Sequence, residues 1–251
     1  MKGDLTDRSY WVDKQRGSRP VNPRRLDVPD WFRIAEPFLK RYEGKLFIEL
    51  GCSPGTMSAM ICSRINFIPY GIDFAPQAWL YTENMKRVGY EHAQLVPVDL
   101  RDYETDMRFD VVGSFGLVEH FEYPTEILFH HDRLVKRQGL VIIVIPNFRY
   151  VQWLYHFLFE RDDLSAHNLR TMNLDVFREF STEYKYETLF LGHYGRMEFW
   201  GVDLRGPKVK VQLRRLAARA VREVTHAVAS RCLPISSKYT SPWIVYVGKK
   251  L

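Results

Sequence analysis

The run Phe47-Ile-Glu-Leu-Gly51-Cys-Ser-Pro-Gly55 constrains the fold of this chain more than any other stretch. An apolar strand feeds directly into a glycine turn, and the turn opens a helix. Glycine lets a backbone adopt positive φ and approach a ligand closely. The start of the following helix leaves N–H groups without intrahelical partners. In open parallel sheets, ligands bind beyond the carboxyl ends of the strands. Two further strands end in acids, Tyr70-Gly-Ile-Asp73 and Val96-Pro-Val-Asp99-Leu100. Three successive strands therefore deliver polar groups to one edge of a sheet. A carboxylate placed like Asp73 accepts hydrogen bonds from ribose hydroxyls. Helix capping is the ordinary alternative for Asp73 and Asp99 alike.

The surrounding pattern extends that sheet. Strands are expected over residues 45–50, 67–72, 93–98, 109–114 and 139–145, with helices over 56–64, 76–89 and 124–136 between them. Continuous β-rich runs alternating with helices indicate a parallel sheet covered on both faces. Residues 1–29 are polar and proline-rich and read as an arm or lid. A helix over 30–41 follows, with Pro37 as a possible interruption. Beyond Pro146 the chain becomes aromatic-rich, with Phe148, Tyr150, Trp153, Tyr155, Phe157 and Phe159. These rings either line an apolar pocket or form a helix packed on the sheet. Then come a helix over 174–184, a strand over 186–194, a possible second strand over 197–202 and a last strand over 243–248. The whole reads as one domain, 1–251: an arm (1–29), a core (30–148), an insertion (149–184) and closing strands (185–251).

Charge is unevenly spread. Lys plus Arg number 36 against 30 acids, a net charge of +6. Between Pro207 and Cys232 there are seven basic residues and one acid, Glu223, a surplus equal to that of the entire chain. Val209, Leu213, Leu216, Ala220 and Val224 recur there at helical steps, with Arg215, Arg219 and Arg222 on another face. Such a helix, expected over 208–231, packs on the body, meets an anionic acceptor, or lies on an anionic membrane. The net charge alone is too small to imply nucleic acid. Three cysteines, Cys52, Cys62 and Cys232, are too few for a disulfide framework and too far apart for a CxxC metal knuckle. The longest apolar run, residues 140–145, falls far short of the roughly 20 residues of a membrane-spanning helix. The charged first residues lack a signal-peptide apolar stretch. A cytoplasmic protein is the expectation, peripheral to a membrane if the basic helix lies on one.

Taken in order, Glu49-Leu-Gly51-Cys-Ser-Pro-Gly55, Gly71-Ile-Asp73, Val98-Asp99-Leu100, the run from Phe109 to Glu119-His120, and Leu134-Val-Lys-Arg-Gln-Gly139 resemble the class I S-adenosyl-L-methionine-dependent methyltransferases. The resemblance covers roughly residues 44–148. It implies an α/β fold: a Rossmann-like, seven-stranded, mostly parallel sheet with helices on both faces, helical insertions and an antiparallel last strand. It also implies roles. Glu49 would orient the glycine loop or meet the methionine ammonium, and Gly51 and Gly55 would let the backbone approach the methionyl part. Asp73, with Phe74 beside it, would hold the ribose; Asp99 and Leu100 would face the adenine. Phe115 and Gly116 would line the methionine end, and Tyr10 and Trp11 would close over the cofactor. Ser53 departs from the family's pattern, which places a glycine there. The rival dinucleotide loop GxGxxG has a different spacing, and no P-loop is present.

The position after the fourth strand reads Gly113-Ser-Phe-Gly116, unlike the Asn/Asp-Pro-Pro-aromatic run of amino-methylating enzymes. No cysteine follows a proline, as cytosine C5 enzymes require. The acids of the metal-dependent catechol enzymes are missing, so no metal is expected. Leu117-Val-Glu-His120 resembles small-molecule enzymes of quinone biosynthesis, natural-product or glycan tailoring. Residues 163–172 resemble their substrate-side insertion. A hydroxyl acceptor benefits from a base, and histidine is the usual one. Of eight histidines, His120 follows the fourth strand and His167 lies in the insertion, so these two are the candidates. His130 and His131 are expected on a helix surface. A small-molecule or glycan O-methyltransferase is the leading expectation. An RNA methyltransferase using segment 207–232, or a non-catalytic module, are the alternatives.

Overall fold

The computed structural model describes residues 4–22, 26–75, 77–199, 208–229 and 236–251. Seven strands form one sheet: β1 (Leu46–Leu50), β2 (Ile68–Ile72), β3 (Gln94–Val96), β4 (Phe109–Phe115), β5 (Val135–Pro146), β6 (Tyr186–Tyr194) and β7 (Trp243–Lys250). Their spatial order is β3-β2-β1-β4-β5-β7-β6. β1 to β5 pair in parallel, and β7 runs antiparallel to both its neighbours. The order reverses at β1, whose flanks are β2 and β4. That reversal opens a crevice at the carboxyl ends of these strands.

The period-two geometry of strands divides the core into two layers. Ile48, Val112, Val141, Ile143 and Tyr246 face one side, where α5 (Pro124–Leu134) and α8 (Leu174–Glu183) cover them through Leu128, Phe177 and Phe180. Phe47, Val111, Ile142, Val144 and Val245 face the other side. There α2 (Phe32–Leu39), α3 (Thr56–Cys62) and α4 (Ala78–Arg87) cover them through Phe32, Ile61 and Tyr81. Each such side chain, fully buried, contributes about 1.5–3 kcal/mol. Pro37 sits inside α2 without ending it.

Several expected boundaries differ. The third strand keeps only three residues, because Asp99 opens a tight turn at Leu100–Asp102. α5 stops at Leu134 and β5 begins at Val135, earlier than residue 139. Residues 197–199 form no strand, and the remainder of the 197–202 stretch lies outside the described residues, as do Pro76 and both ends of the basic segment. His131 is fully buried, not a surface residue. Its Nδ1 meets the Ile127 carbonyl and its Nε2 meets Ser114 Oγ, while burial pushes its pKa down to about 4. His130 is buried as well. His131 occupies the sheet-facing side of α5, which two adjacent histidines on a helix did not reveal.

The arm folds back over the crevice. Asp7 caps α1 (Arg8–Lys14), its carboxylate accepting from Tyr10 N at 2.8 Å. Leu5 N donates to the His120 carbonyl at 2.9 Å, and Arg101 grips Asp4 at 2.7 and 2.8 Å. The aromatic insertion forms α6 (Val151–Phe159) and a short α7 (Arg161–Ser165). The basic segment forms α9 (Lys208–Ala229). α9 meets the body through Ala218, which packs with Tyr155 of α6 and Phe199. Within the anticipated apolar stripe, Leu216, Ala220 and Val224 are exposed; the side chains of Val209, Leu213 and Arg215 lie outside the described residues. No helix among the described residues is long and apolar enough to cross a membrane.

Candidate active site

Two cavities adjoin at the carboxyl edge of the sheet. The first is lined by Gly51 and Ser53 after β1, Asp73 and Phe74 after β2, and Asp99 and Leu100 after β3. Phe115 at the end of β4, Gly116 and His120 beyond it, and Trp11 of α1 also line it. Gly51 has φ +72, and a Cβ there would stand 2.8 Å from Leu117 Cδ1. Gly55 has φ +91 at the start of α3, where a Cβ would stand 2.8 Å from Tyr81 Cδ2. Glycine is required at both places by backbone conformation and by packing.

Asp73 holds the loop. Its Oδ2 accepts from Ser53 N and its Oδ1 from Ala75 N, both at 2.9 Å. Burial pushes its pKa up, and these two N–H donors oppose the shift. Ser53, where the family pattern has glycine, uses its hydroxyl as a latch. It donates to Gln15 Oε1 at 3.0 Å and accepts from Gln77 N at 3.0 Å. The Gln15 side-chain amide donates to the Ser53 carbonyl at 3.3 Å, and Gln77 Nε2 donates to the Gln15 carbonyl at 2.9 Å. The end of α1 is thereby tied to the glycine loop. Asp99 caps its own turn through Arg101 N and pairs with the Arg101 guanidinium at 2.6 Å. Because Arg101 also holds Asp4, the wall of this cavity and the arm share one ion-pair network.

Glu49 lies beneath the cavity rather than on its surface. It is buried on β1 and accepts a short hydrogen bond from Ser58 Oγ of α3. Desolvation pushes its pKa up to about 8. From there it braces the helix that follows the loop.

The second cavity is walled by aromatic rings, Tyr10, Trp11, Trp31, Phe115, Phe148 and Trp243, with Lys14 and Met57 among its lining. Its polar floor is Glu119, His120 and His167. Trp11, Phe115, Gly116 and His120 line both cavities, so the two meet at these four residues. Tyr10 lies only on the second, so the Tyr10-Trp11 pair straddles the junction. His120 is buried; its Nδ1 is 2.9 Å from the Ala166 carbonyl. A carbonyl only accepts, so Nδ1 carries the proton and Nε2 is the basic nitrogen. Trp11 stands edge-on to the His120 ring at 4.7 Å, and the His167 ring lies 4.4 Å away.

Glu119 is the member of the floor that sequence reasoning passed over, although it is the immediate neighbour of His120. It is buried, and desolvation pushes its pKa up to about 8. Its Oε1 lies 4.0 Å from His120 Nε2, and its Oε2 has no hydrogen-bond partner among the described residues. The donor atoms of Glu119, His120 and His167 all lie within 4.8 Å of one another.

The family described as "Methyltransferase domain" matches residues 28–184, more than half of the chain. The chain belongs to this methyltransferase-domain family. A curated relative, the mitochondrial ubiquinone biosynthesis O-methyltransferase of Schizosaccharomyces pombe, is 28% identical over 148 residues. That alignment covers 53% of this chain and 49% of the relative, so the chain matches about half the length of that protein. Solved structures share the fold at low identity. The N-methyltransferase NodS of Bradyrhizobium japonicum, in complex with S-adenosylhomocysteine, aligns at TM-score 0.53 and 12% identity over 97% of this chain and 99% of its own. Magnesium protoporphyrin IX methyltransferase of Synechocystis aligns at TM-score 0.56 and 13% identity over 97% and 94%. A SAM-dependent methyltransferase of Archaeoglobus fulgidus aligns at TM-score 0.55 and 17% identity over 96% and 99%.

Proposed function

We propose that this protein transfers a methyl group from S-adenosylmethionine to an oxygen of a small-molecule or glycan acceptor. The observation that carries the reading is the junction at Gly116 and His120, where a cavity edged by Gly51, Asp73 and Asp99 opens onto an aromatic cavity floored by histidine. The first cavity fits the cofactor on its own chemistry. Gly51 leaves room for close backbone approach, Asp73 offers carboxylate oxygens at the nucleotide-binding edge, and Phe74 and Leu100 supply apolar surface. When bound, S-adenosylmethionine supplies an electrophilic sulfonium methyl.

The chain's own residues align the acceptor and handle its proton. Trp31 and Phe115, stacked at 4.9 Å, form an apolar wall against which a flat ring is held. His120 Nε2 would take up the proton that the acceptor hydroxyl gives up on methylation. The hydrogen bond from Nδ1 to the Ala166 carbonyl fixes the tautomer that makes this possible. Once ionised, the Glu119 carboxylate, 4.0 Å from Nε2, stabilises the imidazolium that results, a role confined to pH near or above the value of about 8 to which burial pushes its pKa, and His167 clamps the acceptor. Aromatic walls exclude water, which strengthens each of these electrostatic effects. The surplus positive charge lies in segment 207–232, whose described cations, Arg219 and Arg222, line neither cavity, which disfavours an RNA acceptor.

The test has two stages. Calorimetry with S-adenosylmethionine and S-adenosylhomocysteine first establishes donor binding, and its absence overturns the proposal. Product release is then followed across phenolic, sugar and amine acceptors, with methylation of oxygen-bearing acceptors expected. The spacing of Glu119, His120 and His167 also suits a divalent cation, the second reading. Loss of turnover in EDTA, restored by a divalent metal, would favour it over the proton-handling role.

A further inference from the structure

We propose that α6 and α9 form a docking face for an anionic lipid bilayer. The solvent side of α6 is apolar along its length. Trp153, Leu154, Phe157 and Leu158 are 40%, 53%, 37% and 52% exposed, with Val151 beside them at 37%. A helix on a water-facing surface normally puts polar residues there, and contiguous apolar patches of this kind mark interaction sites. α9 repeats the pattern. It turns Ala218 toward Tyr155 and leaves Leu216 and Val224 exposed at 61% and 64%. Two abutting helices therefore each present apolar residues outward.

The chemistry around these residues selects the occupant. Trp153 and Phe157 stack at 4.8 Å, and aromatic rings with an apolar body favour the depth of lipid headgroups. Cations frame them. The Arg161 guanidinium sits 4.2 Å over the Phe157 ring at one end of α6. At the other end, Lys238 lies 5.0 Å over Tyr239, which packs against Tyr150. Arg219 and Arg222 of α9 belong to the segment that holds the chain's entire charge surplus. Apolar residues interleaved with cations match a surface of acyl chains and anionic headgroups. A second copy of the chain would bring the same cations against themselves, which disfavours self-association through this face.

The face begins beside the aromatic cavity. Phe148, a cavity wall, precedes α6 by three residues. Where the methyl-transfer reading holds, the acceptor class is one carried by a bilayer, a polar reactive end on an apolar anchor. The lipid contact itself is read without turnover, so its failure is distinct from failure of that reading.

The experiment is co-sedimentation of the full chain with vesicles of phosphatidylcholine alone and of phosphatidylcholine with phosphatidylglycerol, at low and physiological salt. The expected result is binding to the anionic vesicles that exceeds binding to neutral ones and weakens with salt, since screening acts over about 8 Å at physiological ionic strength. The combined changes Leu154→Ser and Leu158→Ser, and separately Arg219→Gln and Arg222→Gln, are each expected to lower partitioning by about tenfold or more. Unchanged melting and S-adenosylmethionine affinity serve as the folding controls. Wild-type protein that stays in the supernatant with anionic vesicles overturns the proposal. So does partitioning that the serine variant leaves unchanged. A dimer that the serine changes dissolve, without vesicle binding, would assign the face to a second copy instead.

Discussion

Replacing Asp73 by alanine removes two different things, and their sizes follow from the geometry. In the unliganded protein the carboxylate accepts from Ser53 N and Ala75 N, each at 2.9 Å. Losing both leaves two partly buried N–H groups without acceptors, at about 1–3 kcal/mol apiece where water cannot replace them. Ser53 and Ala75 flank an open cavity, so water recovers part of that, and a net loss of about 2–3 kcal/mol in stability is expected. The second loss appears only with ligand. A charge-assisted hydrogen bond to a ribose hydroxyl contributes about 1.5–3 kcal/mol, so S-adenosylmethionine affinity should fall roughly 10- to 150-fold. Thermal unfolding without ligand reads the first term and calorimetry at a temperature well below the transition reads the second. Asp73→Asn keeps one acceptor oxygen but turns an NH2 toward the other N–H donor, so it should recover about half of the lost stability at most and little of the affinity. A folded Asp73→Ala protein with wild-type affinity would refute the ribose assignment, whatever its melting temperature.

His120→Ala should lower turnover on the true acceptor by about 10²–10⁴ while leaving donor affinity near wild type, and His167→Ala should raise the acceptor KM more than it lowers kcat; full turnover in both variants would move proton removal to water or another group. Glu49 and Glu119 have folded pKa values pushed up to about 8 from 4.5, so the folded state binds more protons than the unfolded one between those values. Their contribution is fully present below pH 4.5 and is lost as pH rises through about 8; denaturant titrations should show stability falling across that window, and Glu49→Gln with Glu119→Gln should flatten the fall. His131, pushed down to about 4 from 6.5, works in the opposite sense and loses its contribution as pH drops through 4. Ser53→Gly removes the hydroxyl that joins Gln15 to Gln77 N and should speed S-adenosylhomocysteine release in stopped-flow fluorescence, with a stability change of about 1 kcal/mol; an unchanged release rate would show that α1 is not held by this latch.

Sequence patterns reached some parts of the molecule and not others, for physical reasons. The strand-to-turn register of Gly51, Asp73 and Asp99 is local, because each residue terminates its own strand, and the carboxyl edge of the sheet follows from that. The antiparallel last strand came from family resemblance, and the order of strands could not come from local periodicity. What escaped were features that exist only through distant contacts. Gln15 reaches Ser53 and Asp4 reaches Arg101 across long separations in the chain, so the arm read as a lid closing over the cofactor through Tyr10 and Trp11, without these ties to the body. Glu119 read as an ordinary charged neighbour of His120. Its burial exists only in the folded chain, where the distant insertion meets it, Asn168 N donating to the Glu119 carbonyl at 2.6 Å. Periodicity on α9 located an apolar stripe but not its direction, since the side a helix turns inward is decided by its neighbour, here Tyr155 of α6. His130 and His131 failed for the same reason on α5.

Trp11 belongs to both cavities, and it is carried by a helix tied to the glycine loop at Gln15 and preceded by a strand-like contact at His120. A donor in the first cavity and an acceptor in the second would share this wall. Whatever free energy one ligand gains by settling that wall is free energy the other need not supply, and thermodynamic reciprocity makes the effect equal in both directions. If either ligand has to settle the wall, each substrate's dissociation constant depends on whether the other is already in place, by the same factor.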